Sequence, residues 1–217
     1  MTRSRAFLNK LRILPVAALL LLFVVAACTN SNQAGKPSGK VVKVTDREED
    51  VVFGDPNAPH EIVMYASYDC KYCRKFFAGS YPDLKEKYLD TGKLKLVVKW
   101  LDFGERPEML NALQAASCIS RFGDYDKFHE LLNFNPAVVY TTEFGELLAD
   151  IMDRNQYIAE CVVNNNNYEY LKSNLREFNE NKISGTPAFV INSDIYTGYR
   201  SFDRFESVML NEFNFNQ

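Results

Sequence analysis

The feature that most constrains this chain is Cys70-Lys71-Tyr72-Cys73, because of what flanks it. Ile62 to Ala66 is a short apolar run with strand character, and Cys73, Phe76 and Phe77 then recur at i, i+3 and i+4, the core stripe of a helix. The backbone therefore changes from strand to helix across Ser67, Tyr68 and Asp69, which puts Cys70 in the first helical turn. There the backbone N–H groups lack partners within the helix and its dipole is positive, and both favour an anion. A free thiol titrates near about 8.5, and disulfide exchange runs through the thiolate. Cys70 is thus the expected attacking sulfur. Cys73 falls on the side of Phe76 and Phe77, is expected to be the more buried thiol, and would resolve a mixed disulfide. A structural zinc would need further ligands, whereas the chain offers only His60 and His129 and no second C-x-x-C; no metal or other cofactor is expected.

Around this motif the order of elements can be read coarsely. Lys93 to Leu101 is a second strand-like run, and a helical crossover makes it parallel to the first. Four amphipathic helical stripes follow: Ala115, Cys118, Ile119 and Phe122; Phe144, Leu147, Leu148 and Ile151; Ile158, Cys161 and Val162; Tyr168, Leu171, Leu175 and Phe178. They suggest a helical insertion at about 104–182. Ala188 to Ile191 returns to strand character, Asn192-Ser193-Asp194 is turn chemistry, and Ile195 to Tyr199 completes a hairpin. Phe202, Phe205 and Met209 mark a last helix.

The N-terminus reads as an export segment. Arg3, Arg5, Lys10 and Arg12 precede an apolar run from Ile13 to Ala27 that contains Pro15 and is short for a bilayer span of about 20 residues. It ends in Val25-Ala26-Ala27-Cys28, which resembles the lipobox of bacterial lipoproteins. In that class the cysteine is acylated and the signal is cut just before it. Residues 1–27 are therefore expected to be a signal peptide and 28–44 a lipidated tether, with the domain at 45–217. Thr29 to Lys40 (TNSNQAGKPSGK) has no large apolar group and would behave as a coil. Loss of residues 1–27 removes four basic and no acidic residues, so 21 basic and 28 acidic residues remain. That surface repels anionic headgroups and argues against nucleic acid as a partner, so membrane attachment would rest on the lipid. With 217 residues and 47% hydrophobic content, one globular domain is expected.

Export places the remaining thiols in an oxidising compartment. Beyond Cys28 there are four, Cys70, Cys73, Cys118 and Cys161, which allow three pairings. The close spacing at a helix start favours 70 with 73, and hence 118 with 161. Buried free thiols on apolar helix faces remain the alternative for the distant pair.

A βαβ then ββα order with C-x-x-C at the first helix start resembles the thioredoxin fold. More closely, the chain resembles the DsbA-type thiol-disulfide oxidoreductases, whose helical domain interrupts that α/β core. Three segments carry the likeness: Phe53-Gly54-Asp55-Pro56-Asn57-Ala58-Pro59, Tyr68-Asp69-Cys70-Lys71-Tyr72-Cys73-Arg74, and Ser184-Gly185-Thr186-Pro187-Ala188-Phe189. The resemblance implies a redox pair at Cys70 and Cys73 and a cis Thr186–Pro187 bond. The Thr186 backbone would then lie opposite Cys70, where a substrate segment can pair like an added strand. It also implies a second, structural pair at Cys118 and Cys161. The activity implied is disulfide exchange with unfolded or partly folded exported proteins, by a monomeric oxidase that a membrane redox partner reoxidises, in the periplasm or at the cell surface.

The chain departs from the family around the thiols. Lys71 and Tyr72 replace the proline and histidine of strongly oxidising members; Lys71 can favour the Cys70 anion, while Asp69 opposes it and could cap the helix. A buried acid six positions before the nucleophile is here Met64, which leaves Lys99 and Asp102 as candidates for proton transfer, both otherwise readable as surface charges at a strand end. A milder oxidant is expected. Alternatives are a reductase or isomerase on the same scaffold, for example in cytochrome maturation, a metal-binding chaperone of the Sco kind, or a noncatalytic surface lipoprotein.

Overall fold

The computed structural model describes residues 42–104, 106–164 and 168–213. The expected signal peptide, Cys28 and the tether up to residue 41 lie outside the described residues. A central sheet has the strand order β1-β3-β2-β4-β5, built from β1 (Val51–Phe53), β2 (His60–Ala66), β3 (Leu94–Trp100), β4 (Ala188–Ile191) and β5 (Asp194–Thr197). β2 and β3 are parallel, in register from His60 opposite Leu94 to Ala66 opposite Trp100, and the other pairs are antiparallel. β1 has no counterpart in the sequence reading: three residues are too few to display alternation. It can form because Gly54, at φ +91°, turns the chain out of it; a Cβ there would stand 2.9 Å from the Leu94 carbonyl oxygen.

Period-two alternation sends the two faces of the sheet to two cores. Ile62, Met64, Leu96, Val98 and Phe189 face α1 (Lys71–Leu84) and α7 (Phe202–Phe213), whose Cys73, Phe76, Phe205 and Met209 fill that side. Burying each of the large side chains is worth about 1.5–3 kcal/mol. Pro82 lies inside α1, and the helix continues past it as a π-helical turn at Lys85–Leu89.

α2 (Pro107–Phe122), α3 (Tyr125–Phe134), a 3-10 turn (Pro136–Tyr140), α4 (Thr142–Arg154), α5 (Gln156–Asn164) and α6 (Tyr168–Glu180) make up the helical region. α3 was not legible because its inward face mixes Tyr125, Phe128 and Leu132 with buried His129 and Asn133, which masks the apolar stripe. Thr141 caps α4, its hydroxyl accepting from the Phe144 N–H at 3.3 Å. Cys118 of α2 and Cys161 of α5 are bonded, with Sγ atoms 2.11 Å and Cα atoms 5.8 Å apart.

Two expected boundaries differ. The insertion assigned to about 104–182 by periodicity includes α6, yet Leu175 and Phe178 of α6 cover the other sheet face, against Val63, Tyr65, Val97 and Val190. Helical periodicity does not say what a stripe packs on. The tether assigned to 28–44 also runs too far, because Val42 and Val44 join that same face. The Lys43 N–H donates to Asn181 Oδ1 at 3.1 Å, Asn181 Nδ2 returns a bond to the Lys43 carbonyl at 2.8 Å, and the Thr45 N–H donates to Glu177 Oε2 at 3.0 Å.

Candidate active site

At the C-terminal end of β2 the chain crosses Ser67, Tyr68 and Asp69 and enters α1 with Cys70 as the capping residue, in an extended conformation. Parallel pairing of β2 with β3, plus the crossing of α1 over the sheet, holds this turn at one end of the molecule. Cys70 is half-buried and Cys73, one turn on, is 1% exposed among Phe76 and its neighbours. Both are free thiols.

The two sulfurs are driven apart in acidity. Cys70 is drawn down to about 5, first because the Cys73 thiol donates to its sulfur, and further by the Thr186 hydroxyl and the backbone N–H groups of Cys73 and Tyr72, against the cost of its own burial. Cys73 is pushed strongly upward, first by burial and then by the anion at Cys70. Neutral solution therefore holds a thiolate at 70 and a thiol at 73. This is an asymmetric pair that can be attacked from solvent at one sulfur and closed from inside by the other.

Facing the pair is the turn before β4, where Thr186–Pro187 is cis. Protonated, Cys70 Sγ donates to the Thr186 carbonyl oxygen at 3.2 Å. Ionisation gives up that bond and retains the one from the Thr186 hydroxyl. Thr186 is part-exposed and Pro187 buried. The four residues singled out in the sequence, Cys70, Cys73, Thr186 and Pro187, are thus brought together, although 116 positions separate Cys70 from Thr186.

The surroundings differ from the sequence reading. Asp69 does not cap α1; its carboxylate pairs with Arg106, at the start of α2. Lys71 extends over the ring of Tyr72, 5.3 Å from its centre, and Tyr72 is 50% exposed beside the thiols. Asp102 is buried rather than a surface charge, its carboxylate accepting from the N–H groups of Gly104 and Arg106 at 3.1 and 3.0 Å. Lys99 is 0% exposed and points to the sheet face away from Cys73. There it pairs with Asp50 at 2.6 Å and Glu177 at 3.7 Å, and donates to the Thr45 carbonyl at 2.7 Å. As a proton donor to Cys73 it is excluded by the alternation of β3: Val98, opposite Met64, occupies the position on the thiol side.

Beneath the turn lies a network that the sequence did not announce. The Tyr68 hydroxyl bonds to Tyr125 Oη at 3.1 Å and to His129 Nδ1 at 3.0 Å, and Trp100 Nε1 donates to Tyr125 Oη at 3.0 Å. The Tyr68 and Trp100 rings stack at 3.9 Å. Burial takes His129 down to about 3, so the imidazole is neutral. Arg74 Nη1 donates to the Tyr68 carbonyl at 2.8 Å. The loop carrying Cys70 is thereby clamped by α1, α3 and β3 together. Arg106 was also missed; the only signal was its position before Pro107, a helix-start signature.

Known proteins resemble this chain in sequence and in fold. A Rickettsia felis protein assigned as a protein-disulfide oxidoreductase is 30% identical over 182 residues, which make up 80% of this chain and 64% of that protein. A Rickettsia conorii counterpart is 28% identical over the same shares. The chain thus spans somewhat less than two thirds of the length of the curated relatives it matches. Among solved structures, the catalytic domain of Proteus mirabilis ScsC superposes with a TM-score of 0.59 at 22% identity, covering 78% of this chain and 92% of that one. Wolbachia pipientis alpha-DsbA1 gives 0.58 at 23%, covering 76% and 91%, and Chlamydia trachomatis DsbA gives 0.57 at 20%, covering 82% and 98%. These share the fold, helical region included. Residues 46–210 match the family model described as thioredoxin. With that match spanning both the sheet and the helical region, the chain belongs to the thioredoxin family.

Proposed function

We propose that this protein is an extracytoplasmic thiol-disulfide oxidoreductase that works through Cys70 and Cys73 and runs as an oxidase of exported proteins. The observation that carries the reading is the asymmetry of the two sulfurs: one half-exposed and acidic at a helix start, the other buried and held as a thiol. In the oxidised form, a substrate thiolate attacks Sγ of Cys70, the 70–73 bond breaks, and Cys73 leaves and takes up a proton. A second substrate thiolate then attacks the substrate sulfur of the mixed disulfide and expels Cys70 as its stabilised thiolate. Two electrons pass from the substrate dithiol to the protein, and the substrate gains a disulfide. A disulfide of a membrane partner would take those electrons back. The bend before β4 turns the backbone of Thr186 toward the thiols, where it offers a pairing edge to the substrate chain, which suits unfolded substrates of varied sequence. The Rickettsia relatives support the activity, and the basic, apolar N-terminal run with Val25-Ala26-Ala27-Cys28 supports export and a lipid anchor at Cys28.

An acidity of about 5 at Cys70 lies between thioredoxin, at about 7, and DsbA, at about 3.5. A more stable thiolate makes a stronger oxidant, so the potential should fall between about −270 and −120 mV. Equilibration with glutathione measures it; a value at or above about −120 mV contradicts the reading. Oxidation of a dithiol peptide should be lost in Cys70→Ser, and retained biological activity in that variant would point to a noncatalytic surface protein. In cells the pair should stand oxidised at steady state; a reduced pair would make it a reductase.

A further inference from the structure

An arginine with no part in the chemistry above is built into the rim of the thiol site. Arg106 belongs to the junction between β3 and α2, with its backbone N–H bonded to Asp102 Oδ2 at 3.0 Å. Its side chain runs back across Gly104, where a Cβ would lie 2.8 Å from Arg106 Nε. The guanidinium pairs with the carboxylate of Asp69, stands 3.4 Å from Asp102 Oδ1, and lies 5.8 Å from the ring centre of Tyr140. Asp69 directly precedes Cys70. Among the described residues, the charged and titratable groups around the guanidinium are Asp69 from the β2–α1 turn, Asp102 from the end of β3 and Tyr140 from the 3-10 turn. Two of these are carboxylates, and Lys71, the cation next to Cys70, is directed over Tyr72. Arg106 is therefore the cation that meets the acidic rim.

We propose that Arg106 is a positioning residue for Cys70: by pairing with Asp69 it neutralises the charge of the residue that precedes the attacking sulfur in the chain and ties the β2–α1 turn to the helical region, and so controls how readily that sulfur ionises. Its consequence for turnover rests on the oxidoreductase reading. The ionisation itself can be read without turnover. Gly104 adjoins the device: a Cβ there would crowd Arg106 Nε, so the arginine would have to shift to keep its pair with Asp69.

The test is the pH titration of the ultraviolet absorbance of the thiolate in the reduced full-length chain, with the oxidised form as blank. Arg106→Met should raise the apparent pKa of Cys70 by about half to one unit, about three- to tenfold less thiolate on the titrating limb. In an Asp69→Asn background the same substitution should move it less than half as far, because the carboxylate it uncovers is gone. Arg106→Lys should recover most of the wild-type value. Gly104→Ala keeps every charge but displaces the guanidinium, and should shift the titration in the direction of Arg106→Met. If Arg106→Met does not fold, the Gly104→Ala and Arg106→Lys titrations carry the test. An unchanged titration in Arg106→Met, or an equal shift with and without Asp69, overturns the proposal; so does a loss of thermal stability with the titration unmoved, which would make Arg106 only a structural clamp. Failure of the wild-type disulfide to oxidise a dithiol peptide would overturn the oxidoreductase reading and leave this proposal standing.

Discussion

Ionisation of Cys70 should be visible in the stability of the reduced protein, separately from any reaction. In the unfolded chain a cysteine titrates near about 8.5, whereas in the fold Cys70 is held at about 5. A depressed folded value means that the contribution is complete above the unfolded value, shrinks as pH falls, and vanishes once pH passes below about 5. At pH 7 the two-unit gap above the folded value corresponds to about 2.7 kcal/mol; because Cys70 is only half-buried, solvent screening brings the expectation to about 1–2 kcal/mol. The perturbation is Cys70→Ser, which keeps the size of the site and removes the titration. Denaturant unfolding of both reduced proteins at about pH 4.5, 6, 7 and 8 gives the difference in stability at each pH. Carboxylates, His129 and the remaining cysteines cancel in that difference, and Cys73 stays protonated in both states over most of this window. The wild-type advantage should grow by about 1–2 kcal/mol between pH 4.5 and 7 and keep growing to pH 8. A difference that is flat in pH would refute the thiolate argument, whatever its absolute size.

Other perturbations separate the site from its scaffold. Lys99→Met leaves Asp50 and Glu177 buried without their shared cation and should cost about 3–5 kcal/mol, while the Cys70 titration stays in place; slowed disulfide exchange at intact stability would show that Lys99 reaches the thiols. Gly54→Ala forces a side chain into φ +91° and against the Leu94 carbonyl, and should lower stability by about 1–3 kcal/mol in thermal unfolding, with a neutral result denying β1 its turn. Replacing Cys118 and Cys161 together by alanine opens a link across 43 positions and should destabilise the fold by about 4 kcal/mol in the chain-entropy picture, with the Cys70–Cys73 potential unchanged. A large shift in that potential would mean that the helical link reaches the thiol site.

What could be read in the sequence was local. The switch from period two to period 3.6 around Cys70 placed one sulfur at a helix start and the other on its apolar side, because each pattern reports which face of its own element leaves water. Parallel pairing of the two main strands followed from the crossover helix, and the hairpin from Asn192 and Ser193, which take φ +48° and +76°. The fold class followed from that order of elements together with the resemblance carried by the Cys70–Cys73 and Thr186–Pro187 segments.

Contacts between distant elements were decided only in three dimensions. Lys99 and Asp102 look like strand-end surface charges along the chain, yet both are buried, because Asp50 lies 49 positions before Lys99 and the N–H groups at 104 and 106 turn back onto Asp102. Arg106 meets Asp69 across 37 positions, and Thr45 reaches Glu177 across 132, so neither the rim of the thiol site nor the docking of Thr45 on α6 is written in any local pattern. Periodicity determines which side of a helix or strand is apolar; it carries no information on which charged group another element delivers to that side. The placement of the two sulfurs at a helix start was therefore legible from the sequence, while the charges around them were assembled only when the helices docked on the sheet.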